Sequence, residues 1–314
     1  MSQAHLFAPL QPRHSQTSTN IKISDTTQQE QHMGSYQAQV AVGVEVKPRQ
    51  MDFNFPDEIP RYWFDDNPYI THFLNALSSV FPEGERFFIE TVRHYQNQID
   101  DPQLLKDIRG FIGQEAHHGK QHEAFNQLIE KQGYPLGAFG RFVKKRLAAT
   151  RDFLSPAQRL GITIALEHFT AILAHQALAD PTFTAKAPQP FKNLILWHAI
   201  EETEHKAVAY DVFQTVCGDN AIRKGTMMRV SVFFWVHIFS LQAILLWRDG
   251  MPIRPIKFFD AVNFLIGKPG LLRKVARDYL DYYKSDFHPW QHDNRDLIAN
   301  WKTQFSDLAN QVKS

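Results

Sequence analysis

A Glu-x-x-His pair occurs twice in this chain, each time on a segment with helical periodicity, as Glu115–His118 and Glu202–His205. Residues three apart lie about one turn apart on one helix face, so each pair directs two polar groups toward one point. His198, one turn before Glu202, extends the second stripe. Burying such groups without a partner costs several kcal/mol per charge, and a metal ion is the simplest partner. A single stripe of this kind would also suit a solvated helix face, and the second copy favours metal binding.

The composition narrows the classes of function. The chain has 314 residues, 34 of them basic and 33 acidic, a balance that predicts no general attraction to nucleic acid. The single cysteine, Cys217, excludes an internal disulfide and sites rich in thiolates. The first residues lack the apolar stretch of a secretory signal, so we expect a cytoplasmic protein.

The periodicity predicts an all-α fold without strands. Residues 1–50 are rich in Gln, Ser and Thr and predict a disordered or extended arm, followed by an extended strap over 51–69. Predicted helices cover 70–81, 82–98, 102–131, 136–150, 156–178, about 190–216 and the C-terminal tail from Trp290. We expect a metal-binding bundle over 51–217 and a helical extension over 218–314.

The extension contains an apolar run, Val230–Trp247, whose length borders on that of a membrane span. Because His237, Ser240 and Gln242 interrupt it, a buried or interfacial helix is the better interpretation. Lysines and arginines surround this run, so one expectation is that residues 226–277 contact an anionic membrane surface, such as that of the inner membrane. A helical cap on the bundle is the alternative.

Two further glutamates lie on apolar helix faces. Glu85 shares its face with Phe88, Ile89 and Val92, whereas Glu90 is flanked by basic residues and Glu83 is expected in the first turn of a helix. Glu167 lies among apolar and small residues, where a lone carboxylate needs a cationic partner. We therefore predict Glu85 and Glu167 as ligands.

The neighbouring polar residues have secondary roles in this interpretation. Glu201 is expected to hydrogen-bond a ligating imidazole. His122 continues the stripe of His118 as a supporting or spare polar group. Expected away from the ions are His117 at the surface, Glu204 facing water, and His168 as a packing or surface residue.

In chain order the pattern is Glu, Glu-x-x-His, Glu, Glu-x-x-His, which is the ligand scheme of a carboxylate-bridged dinuclear centre inside a four-helix bundle. Four carboxylates and two or three neutral imidazoles neutralise two divalent cations. Hard oxygen donors combined with imidazole favour two iron ions, with manganese as an alternative.

At these residues the chain resembles the ferritin-like diiron proteins and, more closely, a bacterial family described as predicted metal-dependent hydrolases. The resemblance covers roughly residues 55–290. It rests on four segments: FPEGERFFIETVRHY (81–95), QEAHHGKQHEAFN (114–126), ALEHFTAILAH (165–175) and WHAIEETEHKAVAYDVF (197–213).

The additional His198 is similar to the seven-ligand pattern of arylamine N-oxygenases, a resemblance confined to ligand spacing. In that family the extra histidine joins the iron bound by its own Glu-x-x-His pair. The resemblance implies seven ligands: Glu85, Glu115, His118, Glu167, His198, Glu202 and His205.

These expectations favour a diiron oxidoreductase that uses O2 to oxidise an apolar or lipid-like substrate. Because no dinucleotide-binding glycine pattern is present, electrons would come from an external donor. The alternative is a dinuclear hydrolase that acts on an ester or phosphoester. Iron storage or a purely structural bundle fits poorly with the large extra helices. Self-association as a homodimer stays open.

Overall fold

The computed structural model describes residues 44–311, and this part of the chain contains helices, turns and irregular segments but no strand. The prediction of an all-α fold is confirmed. The arm prediction for residues 1–43 lies outside the described residues, and 44–60 run without regular structure over the bundle. The division into arm, bundle and extension stays a prediction.

The α-helices are numbered here in chain order. They are α1 (Pro68–Tyr95), α2 (Pro102–Lys131), α3 (Leu136–Ala149), α4 (Pro156–Ala179), α5 (Gln189–His205), α6 (Val208–Val216), α7 (Asn220–Arg248), α8 (Pro255–Leu265), α9 (Leu271–Asp281) and α10 (Arg295–Gln311).

Side-chain caps explain where several helices begin. The Asn67 and Asp101 side chains accept hydrogen bonds from the first backbone N–H groups of α1 and α2, and a proline follows each of them. Ser155 and Gln158 form a capping box at the start of α4. These groups satisfy donors that an α-helix leaves unpaired at its N-terminus.

The predicted boundary at Pro82 is wrong, because α1 continues through this residue. Proline cannot donate to the carbonyl four positions earlier, which is that of Ser78. Asn126 of α2 donates its side-chain N–H to that Ser78 carbonyl at 3.0 Å. The freed acceptor is thereby satisfied from outside the helix. Glu83 consequently lies in mid-helix and pairs with Arg86.

The single helix predicted to run to Val216 is instead divided, since α5 ends at His205 and α6 begins at Val208. At the break, the Lys206 ammonium donates to the His292 carbonyl and to the Asn294 side chain. The last helix likewise begins later than predicted, at Arg295, because Pro289–Gln291 forms a 3-10 turn.

Four helical segments surround the interior: α1, α2, α4 and the α5–α6 pair, which contact one another. The remaining helices form an outer layer, in which α3, α7 and α8 pack on α1, α9 packs on α4, and α10 packs on α5. The strap residue Phe53 is buried against Trp197, with 5.4 Å between ring centroids. The strap therefore covers α5, which carries three of the predicted ligands.

Among the helices of residues 44–311, two, α4 and α7, are long and apolar enough to cross a membrane by length and composition alone. In α4 most of the apolar window is buried inside the fold (56%), as in the core helix of a globular protein. In α7 only 28% of that window is buried. Other parts of the protein therefore cover most of the apolar window of α4, whereas most of the apolar window of α7 is left uncovered.

Candidate metal centre

All seven predicted ligands are buried and lie in the space between α1, α2, α4 and α5. Helix α1 contributes Glu85, α2 contributes the first Glu-x-x-His pair, α4 contributes Glu167, and α5 contributes the rest. The structure thus brings together side chains that are up to 120 positions apart in the sequence. That they ligate metal ions stays a prediction.

The seven residues form overlapping groups of three whose potential ligand atoms lie within 4.8 Å of one another. Each Glu-x-x-His histidine lies in a different part of the cluster. His118 belongs to one group with Glu85 and His198, whereas His205 belongs to another with Glu115 and Glu167. The cluster therefore contains two sets of potential ligand atoms, one around each of these histidines.

Two carboxylates connect the two sets. Glu115 Oε1 is 3.5 Å from His118 Nδ1 and 3.1 Å from His205 Nε2. The two oxygens of Glu202 lie 3.6 Å from His118 Nδ1 and 3.5 Å from His205 Nε2. Glu115 and Glu202 would therefore be the residues that hold both ions of a dinuclear centre, with Glu85 near His198 and Glu167 near His205 at opposite ends.

The position of His198 differs from the one that the resemblance to the N-oxygenases implies. Its Nε2 lies 3.8 Å from Glu85 Oε1 and 2.8 Å from Glu202 Oε1, and it groups with His118 instead of His205. The physical reason is its place on α5, one turn before Glu202, which brings it to the end of the cluster where α1 supplies Glu85.

The carboxylate oxygens provide a test of whether metal ions fit. Both oxygens of Glu85, Glu115 and Glu167 are buried without a hydrogen-bond donor among the described residues. Burial and the neighbouring carboxylates raise the pKa of all three groups well above the usual range. Orphaned buried acceptors are rare in folded proteins. Two divalent cations would give each of these oxygens a partner, so the donor set fits.

The hydrogen bonds of His118 and His205 direct one ring nitrogen of each toward this cluster. Gln114 Oε1 can only accept, so His205 donates from Nδ1 at 2.9 Å and turns the Nε2 lone pair to the carboxylates. Glu201 Oε2 accepts from His118 Nε2 at 3.0 Å, which leaves Nδ1 facing inward. Lone pairs that face carboxylates are stabilised by a cation between them. The predicted hydrogen bond from Glu201 to the imidazole of a candidate ligand is confirmed, while ligation by His118 stays a prediction.

The electrostatic interactions between the carboxylates and His205 also favour a cation in the cluster. Although burial lowers it, the Glu202 carboxylate raises the pKa of His205 to about 9. Although burial raises it, His205 and His198 lower the pKa of Glu202 well below its usual value. The field of the carboxylates therefore favours a positive charge at Nε2 of His205, whether a proton or a metal ion.

The third imidazole, His198, is oriented by a chain of polar groups. Its Nδ1 lies 2.8 Å from Nε2 of His122, whose Nδ1 lies 2.9 Å from the Ser78 hydroxyl. That hydroxyl donates to Asn126 Oδ1 at 2.8 Å. With His198 donating into this chain, its Nε2 is free to face the cluster. His122 is thus a supporting residue and not a spare one.

Arg49, in the irregular segment just before the strap, contacts the surroundings of the cluster and was missed by the sequence analysis. Its guanidinium donates to Glu201 at 3.1 Å and to both oxygens of Glu204 at 2.8 and 2.6 Å. Glu204 also accepts from Gln114 at 2.9 Å. The prediction that Glu204 faces water is wrong, because Arg49 and Lys302 compensate its charge in a buried position.

Arg49 therefore holds the two carboxylates behind His118 and His205 from a single point. No local pattern marks this residue, since it lies 152 positions from Glu201 in an irregular segment. The only signal available was that Glu201 and Glu204 each directly precede a member of the pair Glu202–His205 and need cations once buried.

Glu90, His117 and His168 lie outside the groups of candidate ligands. Glu90 pairs with Arg151 and Arg159 on the outside, as expected for a solvated face. His117 is half-buried and outside the cluster. His168 is buried on the opposite side of α4, where Nε2 lies 3.0 Å from the Asp278 carbonyl, so it is a packing residue.

One glycine permits the close approach of α1 and α2. A Cβ atom on Gly119 would lie 3.0 Å from Glu85 Oε2, tighter than ordinary van der Waals contact. The absence of a side chain at Gly119 leaves room for the Glu85 carboxylate beside its neighbours.

A cavity of about 150 Å³ leads away from the cluster. His122, His198 and Glu202 lie at one part of its wall, and Phe264 and Leu271 lie on helices of the extension. Most of the other lining is apolar, including Leu77, Phe81, Leu173, Phe183 and Leu194. The cavity therefore joins the candidate metal centre to a space suited to an apolar guest.

Fold and site together define an all-helical protein with a buried carboxylate–histidine cluster suited to two metal ions. Residues 47–293 match the family model described as predicted metal-dependent hydrolase. The chain belongs to this family. It matched none of the curated proteins and none of the solved structures with which it was compared.

Proposed function

We propose that this protein is a dinuclear metal enzyme that oxidises an apolar organic substrate with O2. The observation that carries the proposal is the set of four buried glutamates and three imidazoles, whose free oxygen and nitrogen atoms converge beside an apolar cavity. Two iron ions held by these seven residues would supply the redox chemistry with O2 that no side chain provides.

The residues of the chain have separable roles in this proposal. Glu115 and Glu202 connect the two centres, while Glu201, Gln114 and His122 fix the orientation of the three imidazoles. Outer partners of this kind raise ligand basicity and hold geometry. The apolar wall orients the substrate and excludes water, which limits side reactions. Electrons come from a separate donor.

The character of the ligands and of the cavity favours oxidation over hydrolysis. The cluster is built from glutamates on helices, and among the described residues the cavity wall contains no lysine or arginine that would bind a phosphoester. An apolar pocket next to a carboxylate-rich centre suits a substrate without ionic groups.

Metal-dependent hydrolysis is the second candidate, because the description of the family names it. In that case the two ions would lower the pKa of a bound water to produce a nucleophile. An uncharged ester with an apolar acyl group would fit the same cavity. The two candidates share the ligands and differ in their need for O2 and electrons.

The test begins with anaerobic loading of the full-length protein with ferrous iron, followed by rapid mixing with O2. Oxidation chemistry predicts a transient visible absorption and consumption of O2, both lost in Glu167→Ala. The control variant Glu90→Ala alters an exposed, ion-paired carboxylate and should behave as wild type. An unchanged spectrum together with metal-dependent hydrolysis of an apolar ester would support the second candidate and contradict the first.

A further inference from the structure

The outward side of α7 and α8 exposes an unusually large set of apolar side chains. We call it the apolar face and define it by the exposed residues between 228 and 266, chiefly Val232, Phe233, Val236, Trp247, Ile256 and Phe259. Phe233 is 64% exposed and Trp247 is 70% exposed. Proteins that remain monomeric in water rarely display contiguous patches of this kind, which usually mark an interaction surface.

Helix α7 is fixed to the bundle along its other side. Its inward residues Met227, Ile238, Leu241 and Leu245 are buried at helical spacing. Near its start, buried Arg223 donates to the Lys284 carbonyl at 2.6 Å, and Gln242 donates to the Tyr69 carbonyl at 2.8 Å. One side of α7 is therefore committed to protein contacts over most of its length. The opposite, exposed side of α7 is suited to contact a flat surface outside the protein.

The charges around the apolar face are strongly biased. Residues 220–277 contain ten lysines and arginines but only two aspartates and no glutamate. Arg229 and Arg248 are exposed toward the two ends of the outer side of α7. Of the two aspartates, Asp249 pairs with Arg61 and His72 and accepts a hydrogen bond from the Tyr134 hydroxyl. Among the cations, Arg254, Lys257 and Lys274 pair with acids from outside this segment, whereas Arg229 and Arg248 have no acidic partner among the described residues.

Helix α3 adds to the same positive surface. The Phe142 ring stacks on His237 of α7 with 5.5 Å between centroids, so the two helices are neighbours. Arg141, Lys144, Lys145 and Arg146 surround Phe142 in sequence and are all exposed. An apolar surface bordered by cations matches the chemistry of an anionic bilayer, with apolar groups below the headgroups and cations among them.

We propose that the apolar face and the cations of α3 dock this protein on an anionic lipid bilayer. A second copy of the chain is the other obvious occupant of an apolar surface. In a symmetric dimer the same positive segment would face itself, which places like charges together and opposes association. Anionic headgroups, by contrast, compensate these charges.

The docking surface also indicates a class of substrate, and this inference rests on the proposed function. Helix α8 turns Phe259 and Val262 outward, while it turns Phe264 inward to line the cavity that also contacts Glu202 and His198. A single helix thus separates the lipid-facing surface from the cavity. An apolar molecule dissolved in the bilayer, such as a lipid acyl chain, is the class of substrate that this arrangement would admit.

The test is flotation of the full-length protein with vesicles of phosphatidylcholine alone or with about a third of anionic phosphatidylglycerol, and it needs neither turnover nor bound metal. We expect flotation with the anionic vesicles, weaker flotation with the neutral ones, and a decrease as salt screens the cations. Phe233→Asp should lower the partition coefficient at least about tenfold, since burying an aromatic side chain contributes ~1.5–3 kcal/mol.

Leu280→Asp is the matched control, because Leu280 is also 64% exposed but lies outside the apolar face. It should float as wild type does. Lys144→Glu combined with Lys145→Glu should reduce binding to anionic vesicles only. Equal flotation of Phe233→Asp and Leu280→Asp would overturn the proposal. So would absence of flotation together with a concentration-dependent dimer in sedimentation that Phe233→Asp disrupts. Either result would leave the proposed chemistry untouched.

Discussion

The candidate metal centre and the apolar face depart from the usual distribution of residues in opposite directions. The centre buries four carboxylates where apolar groups are usual, and the apolar face exposes phenylalanine, tryptophan and isoleucine where polar groups are usual. Each arrangement is costly by itself. Under the two proposals, this difference reflects the partners of the two regions, which are cations in the interior and an apolar phase at the surface.

The two regions also differ in how firmly their side chains are held. Around the centre, each imidazole has a hydrogen-bond partner on its outer nitrogen, and Arg49 fixes two of the carboxylates behind them. On the apolar face, the exposed side chains are held only through the inward side of their helices. Single substitutions should therefore have large, position-specific effects in the centre and graded effects on the surface.

The largest effect is expected from removing a ligand. Glu167→Ala or His205→Ala should lower metal content from two ions per chain to about one or fewer, because each side chain faces the centre from a different helix. Metal analysis of the purified, folded variants measures this. Glu90→Ala, which removes a carboxylate outside the bundle, should keep the wild-type content. Full content in both ligand variants would remove these residues from the ligand set.

A smaller effect is expected from a supporting residue. Gln114→Leu keeps the approximate size of the side chain but removes the acceptor that holds His205 Nδ1. Metal affinity should fall by roughly tenfold to a hundredfold, as is usual for such partners. Competition with a chelator of known affinity measures the change. An affinity equal to that of wild type would show that packing alone orients His205.

The anchoring of α7 can be tested by its stability contribution. Asp249, just after α7, accepts hydrogen bonds from Tyr134 at 2.8 and 2.9 Å and also pairs with Arg61 and His72. Asp249→Asn should lower the free energy of unfolding by roughly 2 kcal/mol, because charged hydrogen bonds are lost in a buried place. Urea unfolding measures it, with the exposed Asp260→Asn on α8 as the control near zero change.

The smallest effect is expected in the pH dependence of folding stability, through His72, which pairs with Asp249. Burial lowers the pKa of His72 below its ordinary value of 6.5, although Asp249 opposes this, and Arg61 adds to the lowering. The unfolded chain therefore takes up this proton first as the pH falls below 6.5, so stability decreases with acidification there. The slope contributed by one group is at most about 1.4 kcal/mol per pH unit.

His72→Gln should flatten this part of the stability profile relative to wild type. The aromatic rings of Tyr62 and Tyr134 pack against His72 with 5.9 and 5.0 Å between centroids. Their hydroxyls titrate far above this pH range and leave the slope unaffected. Equal slopes in both proteins between pH 6.5 and 5 would show that His72 keeps its ordinary pKa in the fold.

Much of the centre could be anticipated because its spacing is helical. Glu85 was distinguishable from Glu83 and Glu90 by apolar neighbours on one face, and the structure places Glu85 in the cluster and Glu90 outside, paired with arginines. The helix starts at Pro102 and Pro156 followed from caps that act within one turn. Local chemistry determined these features, so the local sequence was sufficient to predict them.

The errors arose where a distant partner decides the structure. The continuity of α1 depends on Asn126, which supplies a donor to the carbonyl that Pro82 leaves free. The burial of Glu204 depends on Arg49 and Lys302, and the grouping of His198 depends on how α5 lies against α1. None of these contacts has a periodic signature, and each becomes visible only once the helices are packed.

Anomalous diffraction at the iron edge from crystals grown with ferrous iron tests the central claim most directly. The account predicts two peaks inside the bundle, one among Glu85, His118 and His198 and the other among Glu115, Glu167 and His205, with Glu202 adjoining both. Iron bound only at the protein surface, or no anomalous peak within this cluster, would contradict it.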